Sequence, residues 1–175
     1  MITEPKMILY IEDDEGTARL VRQYLEQFGY MLEVAYSAEE GLKKFDPKIH
    51  ELILMDYALP GISGLDALRK LTPDKFDPAV VLITAAGSEQ VAVDAINNGA
   101  AGYVVKDSSL GFLSLLPIAI ESGVAKQKLY KQISTLMNQA TQNERKIAKL
   151  TAENEKLRVM NSTAQQKYFD TVHVH

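Results

Sequence analysis

The chain has 175 residues, 46% hydrophobic and 24% charged, with a formal net charge of −4; that length suits one globular domain of about 100–150 residues with an appendage and excludes a large multidomain enzyme. No cysteine is present, which removes disulfide frameworks, thiolate zinc sites and cysteine nucleophiles. The longest apolar stretch, Leu110 to Ile120, contains Gly111, Ser114 and Pro117 and is far shorter than the roughly 20 residues a membrane span needs; with acidic Glu4 near the start and no leader pattern, the expected location is the cytoplasm, away from the membrane.

Lys6-Met-Ile-Leu-Tyr-Ile11 is an apolar, β-rich run that stops at Glu12-Asp13-Asp14, as a strand buried on both faces would. Ala18, Leu20, Val21, Tyr24, Leu25 and Phe28 then recur at helical spacing until Gly29, a natural C-terminal stop. Met31 to Tyr36 predicts a second strand, and Ser37 followed by Glu40 resembles a capping box for a helix through about Phe45. Leu52 to Met55 predicts a third strand ending at Asp56, with His50 just before it. Gly61 and Gly64 punctuate the loop before a short helix around Leu65 to Leu71. Ala79 to Ile83 predicts a fourth strand ending at Thr84. Ser88 with Val91 starts a helix that Asn98-Gly99 closes, and Tyr103 to Val105 predicts a fifth strand ending at Lys106.

The tail differs in composition. Residues 126–175 hold nine Lys and Arg against four acids, a net of +5, leaving −9 for residues 1–125; all ten Gly and all six Pro lie at or before Gly123. A stretch free of both helix breakers predicts one long helix, so the expected division is a folded domain over 1–125 and a helix over 126–175 with a frayed end that holds His173 and His175.

Strands alternating with helices predict an α/β fold, a five-stranded parallel sheet wound on both faces. Ligands bind such sheets beyond the carboxyl ends of the strands. Those ends carry Glu12-Asp13-Asp14, Asp56, Thr84 and Lys106. In the order 2-1-3-4-5, strands one and three are neighbours and crowd three or four carboxylates into one crevice. Their repulsion calls for a cation, and Mg²⁺ suits a few carboxylates while keeping positions open for water and phosphate oxygens. An aspartate beside Mg²⁺, with a lysine and a hydroxyl opposite, can attack phosphorus; Asp56 is the favoured nucleophile. Each acid alone is more simply a solvated loop residue, Thr84 alone a cap and Lys106 alone a surface charge. Their ordered occurrence at four of the five strand ends reverses that judgement.

With these strings in place, the chain resembles the receiver domain of bacterial two-component response regulators over about residues 5–125, through Ile8-Leu-Tyr-Ile-Glu-Asp-Asp14, Leu52-Ile-Leu-Met-Asp56, Leu59-Pro-Gly61, Gly64-Leu-Asp66, Val81-Leu-Ile-Thr84-Ala85 and Gly99-Ala-Ala-Gly-Tyr-Val-Val-Lys106. The resemblance implies a flavodoxin-like sheet and a phosphoryl group received by Asp56 from a histidine kinase, phosphotransfer protein or small phosphodonor. It implies Mg²⁺ held by Glu12, Asp13, Asp56 and the Ala58 main-chain carbonyl, with Asp14 as a third acid beside the pair. Lys106 then acts on the phosphoryl group, and Thr84 and Tyr103 form the switch. Asp107 follows Lys106 where the family often has proline, so a cis bond there would be expensive. Ala58 and Ala86 stand where family members tune dephosphorylation, and neither side chain can orient a water.

In the tail, Ile133, Ala140, Ile147, Asn154, Asn161 and Tyr168 fall at heptad position a, and Leu129, Leu136, Asn143, Leu150, Leu157 and Ala164 at d. The large aliphatic members, Leu129, Ile133, Leu136, Ile147, Leu150 and Leu157, form a seam. Ile at a with Leu at d predicts a parallel two-stranded coiled coil, hence a homodimer, with buried Asn fixing register. The basic residues are dispersed and no basic leader precedes the heptads, so nucleic acid is not the expected partner. The receiver is thus expected to catalyse only its own phosphorylation and dephosphorylation. A phosphorylation-independent dimer scaffold and an aspartate-nucleophile phosphatase are the alternatives; the latter lacks a general acid because Ala58 stands two residues after Asp56.

Overall fold

The computed structural model describes residues 6–72, 77–85 and 89–172; Ala86, Ser88, His173 and His175 lie outside the described residues. In chain order the elements are β1 (Lys6–Ile11), α1 (Glu15–Glu26), β2 (Tyr30–Ala35), α2 (Ala38–Lys44), β3 (His50–Asp56), α3 (Gly64–Leu71), β4 (Val80–Thr84), α4 (Glu89–Asn97), β5 (Gly102–Val105) and α5 (Phe112–Val172). The strands form one sheet in the order β2-β1-β3-β4-β5, and all neighbouring pairs are parallel.

Residue alternation along the strands divides the core into two layers. Ile8, Tyr10, Leu52, Leu54, Val81 and Ile83 pack with Ala18, Val21 and Leu25 of α1 and with Leu116, Ile120 and Val124 of α5. Leu9, Ile11, Ile53, Met55, Val80 and Leu82 pack on the other face with Ala38 of α2, Ala67 and Leu68 of α3 and Ala95 of α4. The middle strands are therefore apolar on both sides, and a fully buried Leu54 alone contributes roughly 2 kcal/mol relative to an exposed one.

β2 and β4 are each displaced by one residue from the expected spans, and two other starts differ more. β3 begins at His50 rather than after it: the buried ring accepts the Asp46 amide at Nδ1 (3.1 Å) and meets Glu33 Oε2 with Nε2 (3.1 Å), which makes it a structural side chain. The last helix begins at Phe112, well before Lys126, and contains both Pro117 and Gly123. Pro117 lies in the second turn and forfeits one bond to the Leu113 carbonyl, while burial of Leu113, Leu116, Ile120 and Val124 holds the helix together. Gly123 packs closely on the sheet: a Cβ there would sit 3.1 Å from Leu52 Cδ1 and 3.2 Å from Val81 Cγ2, so those side-chain ends would have to give by a few tenths of an ångström.

Polar ties run from α5 to residues that start strands. Tyr30 donates to Glu121 (3.4 Å), Lys126 to the Ala101 carbonyl (3.4 Å) and Gln127 to Asp77 (2.8 Å); Lys131 pairs with Asp77 (2.9 Å) and Lys128 with Glu51 (3.6 Å). At the β2 edge, Lys44 Nζ donates to the Val34 carbonyl (2.8 Å) and the Tyr36 amide donates to Glu40 Oε2 (2.7 Å).

The chain divides into two compact units, Met1–Lys131 and Gln132–His175. Every residue from Gln132 to Val172 is exposed. No helix among the described residues is long and apolar enough to cross a membrane.

Candidate functional site

Glu12 continues β1 by one residue, its amide donating to the Ala35 carbonyl (3.0 Å), and its carboxylate is almost wholly buried. Asp13 is exposed. Asp14 caps α1, accepting the Thr17 amide at 2.7 Å, so its carboxylate is held at the helix N-terminus and below the usual aspartate range by that bond. Asp56, the last residue of β3, is buried and accepts the Ala58 amide through Oδ1 at 2.9 Å. Behind it, the Tyr57 carbonyl accepts the Gly64 amide (3.1 Å), and a Cβ on Gly64 would approach the Asp56 carbonyl oxygen and Tyr57 Cα to 2.7 Å. Only glycine lets α3 start this close to the strand end.

Glu12, Asp13 and Asp56 each bring a carboxylate oxygen within 4.8 Å of one another. Lys106 reaches this group from β5, two strands beyond β3. Its amide is anchored on the Thr84 carbonyl (2.8 Å), and its Nζ donates to Glu12 Oε2 (2.8 Å) and, in a close ion pair, to Asp56 Oδ2. Thr84, buried at the end of β4, lies beside Asp56 in the sheet, since Asp56 pairs with Ile83.

Tyr103 is 45% exposed on β5, at the protein surface. Ala58 is exposed and contributes its amide, while Ala86 lies outside the described residues. The cis peptide among the described residues is Asp77–Pro78, so Lys106–Asp107 is trans. The loop after Lys106 is instead closed by Asp107, whose Oδ1 accepts Ser109 Oγ and the Gly111 amide, both at 2.8 Å; these bonds hold its carboxyl below the ordinary range.

Burial would depress the Lys106 ammonium, but its bonds to Asp56 and Glu12 outweigh burial and hold it above its ordinary value. Glu12 is pushed upward, because burial exceeds the help from Lys106 and Tyr10. Three acids against one lysine leave a net negative, all-oxygen donor set, which fits a hard divalent cation such as Mg²⁺.

Nothing in the apolar run Lys6 to Ile11 sets Tyr10 apart from the core. The ring is buried there, yet its hydroxyl donates to Glu12 Oε2 at 2.8 Å, and burial followed by the Glu12 charge pushes its ionisation far upward. The two-residue spacing on a strand was the available signal, because it sends both side chains to one side.

A parallel sheet ordered 2-1-3-4-5, with acids and a lysine converging beyond its carboxyl ends, defines a receiver-like α/β protein. The response regulator receiver domain model matches residues 8–114, and the chain belongs to that family. The uncharacterized transcriptional regulatory protein YkoG of Bacillus subtilis (strain 168) is 37% identical over 99 residues, covering 57% of this chain and 43% of its own length; the match thus takes in less than half of that relative. A response regulator receiver domain protein from Clostridium thermocellum superposes with TM-score 0.63 at 28% identity, over 71% of this chain and 98% of its own. The response regulator protein TrrA from Thermotoga maritima, in complex with Mg²⁺-BeF, does so with TM-score 0.57 at 30% identity, over 66% and 98%.

Proposed function

We propose that residues 1–125 act as a phosphoacceptor receiver in a two-component phosphorelay, with Asp56 as the acceptor. The observation that carries this reading is the Lys106 ammonium held between Glu12 and Asp56 beside Asp13. An Asp56 carboxylate oxygen attacks the phosphorus of a phosphohistidine or small acyl phosphate. A P–O bond to Asp56 forms as the bond to the donor breaks, and the leaving imidazole or carboxylate takes the electron pair. Lys106 stabilises charge on the phosphoryl oxygens, and the Ala58 amide orients the nucleophile through Oδ1. Glu12, Asp13, Asp56 and the Ala58 carbonyl would hold Mg²⁺, which supplies charge neutralisation at the phosphoryl group; the TrrA complex supports this assignment by relation. Thr84 follows the new phosphoryl group from the adjacent strand end, and Tyr103 turns inward from its exposed position to complete the switch.

In the same reading, residues 126–175 pair in parallel with a second copy. Leu129, Ile133, Leu136, Ile147, Leu150 and Leu157 are 46–64% exposed in the single chain, and an apolar stripe of that length in water calls for cover. The dimer carries or maintains the paired state that the receiver controls.

Incubation with acetyl phosphate and Mg²⁺ followed by intact-mass measurement tests the first part. A single phosphoryl mass should appear in wild type, need Mg²⁺, and vanish in Asp56→Asn. Phosphorylation of that variant at the wild-type level would overturn the assignment.

A further inference from the structure

Tyr10 and Glu12 leave β1 on the same side, and the Tyr10 hydroxyl and the Lys106 ammonium converge on one atom, Glu12 Oε2, each at 2.8 Å. With two donors on Oε2, Oε1 is the Glu12 oxygen whose lone pairs remain for a ligand. The two donors differ in kind. Lys106 sits on a flexible four-carbon stem and already divides itself between Glu12 and Asp56. The Tyr10 ring is fully buried in the layer formed with α1 and α5, so its hydroxyl is aimed by packing. A phenylalanine would fill nearly the same core space without bringing a hydroxyl out of water, which carries a desolvation cost. The hydroxyl's partner among the described residues is the buried acid of the cluster.

We propose that Tyr10 is a positioning residue of the acidic pocket: its hydroxyl fixes the Glu12 carboxylate so that Oε1 is offered to a divalent cation, and it keeps that carboxylate in place when Lys106 turns toward a phosphoryl group on Asp56. The inference rests on the receiver reading above and adds to it. A phosphoryl dianion brings new acceptors for the Lys106 ammonium and draws it from Glu12. Without Tyr10, the buried Glu12 Oε2 would then lose its remaining hydrogen-bond donor, a costly state. Tyr10 supplies the donor that stays.

The test is titration of Mg²⁺ into the full chain by calorimetry, with wild type, Tyr10→Phe, Glu12→Ala and the double variant. Loss of a hydrogen-bonding partner behind a metal ligand weakens binding by roughly tenfold or more, so Tyr10→Phe should bind Mg²⁺ about tenfold more weakly. Its acetyl phosphate reaction should need correspondingly more Mg²⁺ for half-saturation yet recover the wild-type rate at saturation. In the Glu12→Ala background the Tyr10→Phe change should have no further effect. Equal Mg²⁺ affinity in wild type and Tyr10→Phe, or an undiminished effect in the Glu12→Ala background, overturns the inference and leaves the receiver reading standing. A wild type that binds no Mg²⁺, or phosphorylation that survives Asp56→Asn, instead sinks the receiver reading. Wild type carrying ¹³Cζ-labelled tyrosine supplies a measurement that needs no variant to fold: the Tyr10 signal should keep its carboxylate-bonded position on saturation with Mg²⁺, and a move to the free-hydroxyl position would overturn the inference.

Discussion

In the acidic pocket Lys106 joins residues far apart in the chain, reaching Asp56 and Glu12 across separations of 50 and 94 residues. Along residues 132–172, Thr141, Thr151, Thr163 and Thr171 each donate instead to the carbonyl four residues earlier. The pocket therefore exists only when the whole sheet is folded, and its geometry is as cooperative as the domain. These threonine bonds need nothing but the helix's own sequence, yet helix formation alone stabilises little in water, and the apolar seam is left exposed. One region closes its polar groups on one another within a single chain, and the other leaves an apolar seam in water.

The sharpest way to break this comparison is to replace Leu150 and Leu157 together with Asp. Light scattering at micromolar concentration should report a dimer for wild type and a monomer for the variant, while Asp56 phosphorylation is unchanged. A monomeric wild type, or a dimer that survives the double substitution, would remove the coiled coil. Next in size is Gly64→Ala, which forces a Cβ against the Asp56 and Tyr57 backbone and should lower unfolding stability by about 1–3 kcal/mol. Ser162→Ala, on the exposed tail, should change it by less than about 0.5 kcal/mol. Chemical denaturation of the two variants measures the contrast directly.

A smaller effect concerns lifetime. With alanine at 58 and 86, no side chain at either position can orient a hydrolytic water, so the phosphoaspartate should persist; Ala58→Asn or Ala86→Glu should change its decay severalfold, followed by mass over time. Unchanged decay in both would locate water control elsewhere. The smallest effect is on the acid side of the stability profile. Asp14 has its folded-state pKa lowered, first by the Thr17 backbone bond. Its stabilisation is present above the ordinary aspartate range and is lost as pH falls through the depressed value. Asp14→Asn keeps an acceptor without the charge and should flatten that part of a thermal-melt series between neutral and acid pH.

Much of the pocket was legible because strand ends announce themselves: an apolar run that stops abruptly at Glu12 or Asp56 marks both an element and its functional edge. Lys106 was legible for the same reason, although its reach across β4 to Asp56 is a tertiary fact. The start of α5 was not. Treating Pro117 and Gly123 as breakers assumes that local propensity decides, whereas Leu116, Ile120 and Val124 bury against the sheet and Gly123 lies close against Leu52 and Val81. Tyr10 was hidden by its neighbours, since a tyrosine within an apolar run reads as core until the acid two residues later is seen to share its side. The Asp107 loop closure was unreadable because it depends on one carboxylate folding back onto Ser109 and Gly111.

The outer margin of β2 bears on behaviour at high concentration. An edge strand exposes a row of amides and carbonyls that can template another chain. Here Lys44 occupies the Val34 carbonyl and Glu40 the Tyr36 amide, and the same lysine pairs with Glu40 at 2.8 Å, so two groups of that row are already taken and a charge stands over each. Sheet-to-sheet polymerisation along this margin is thereby opposed, and any association of two copies is steered away from strand addition at β2.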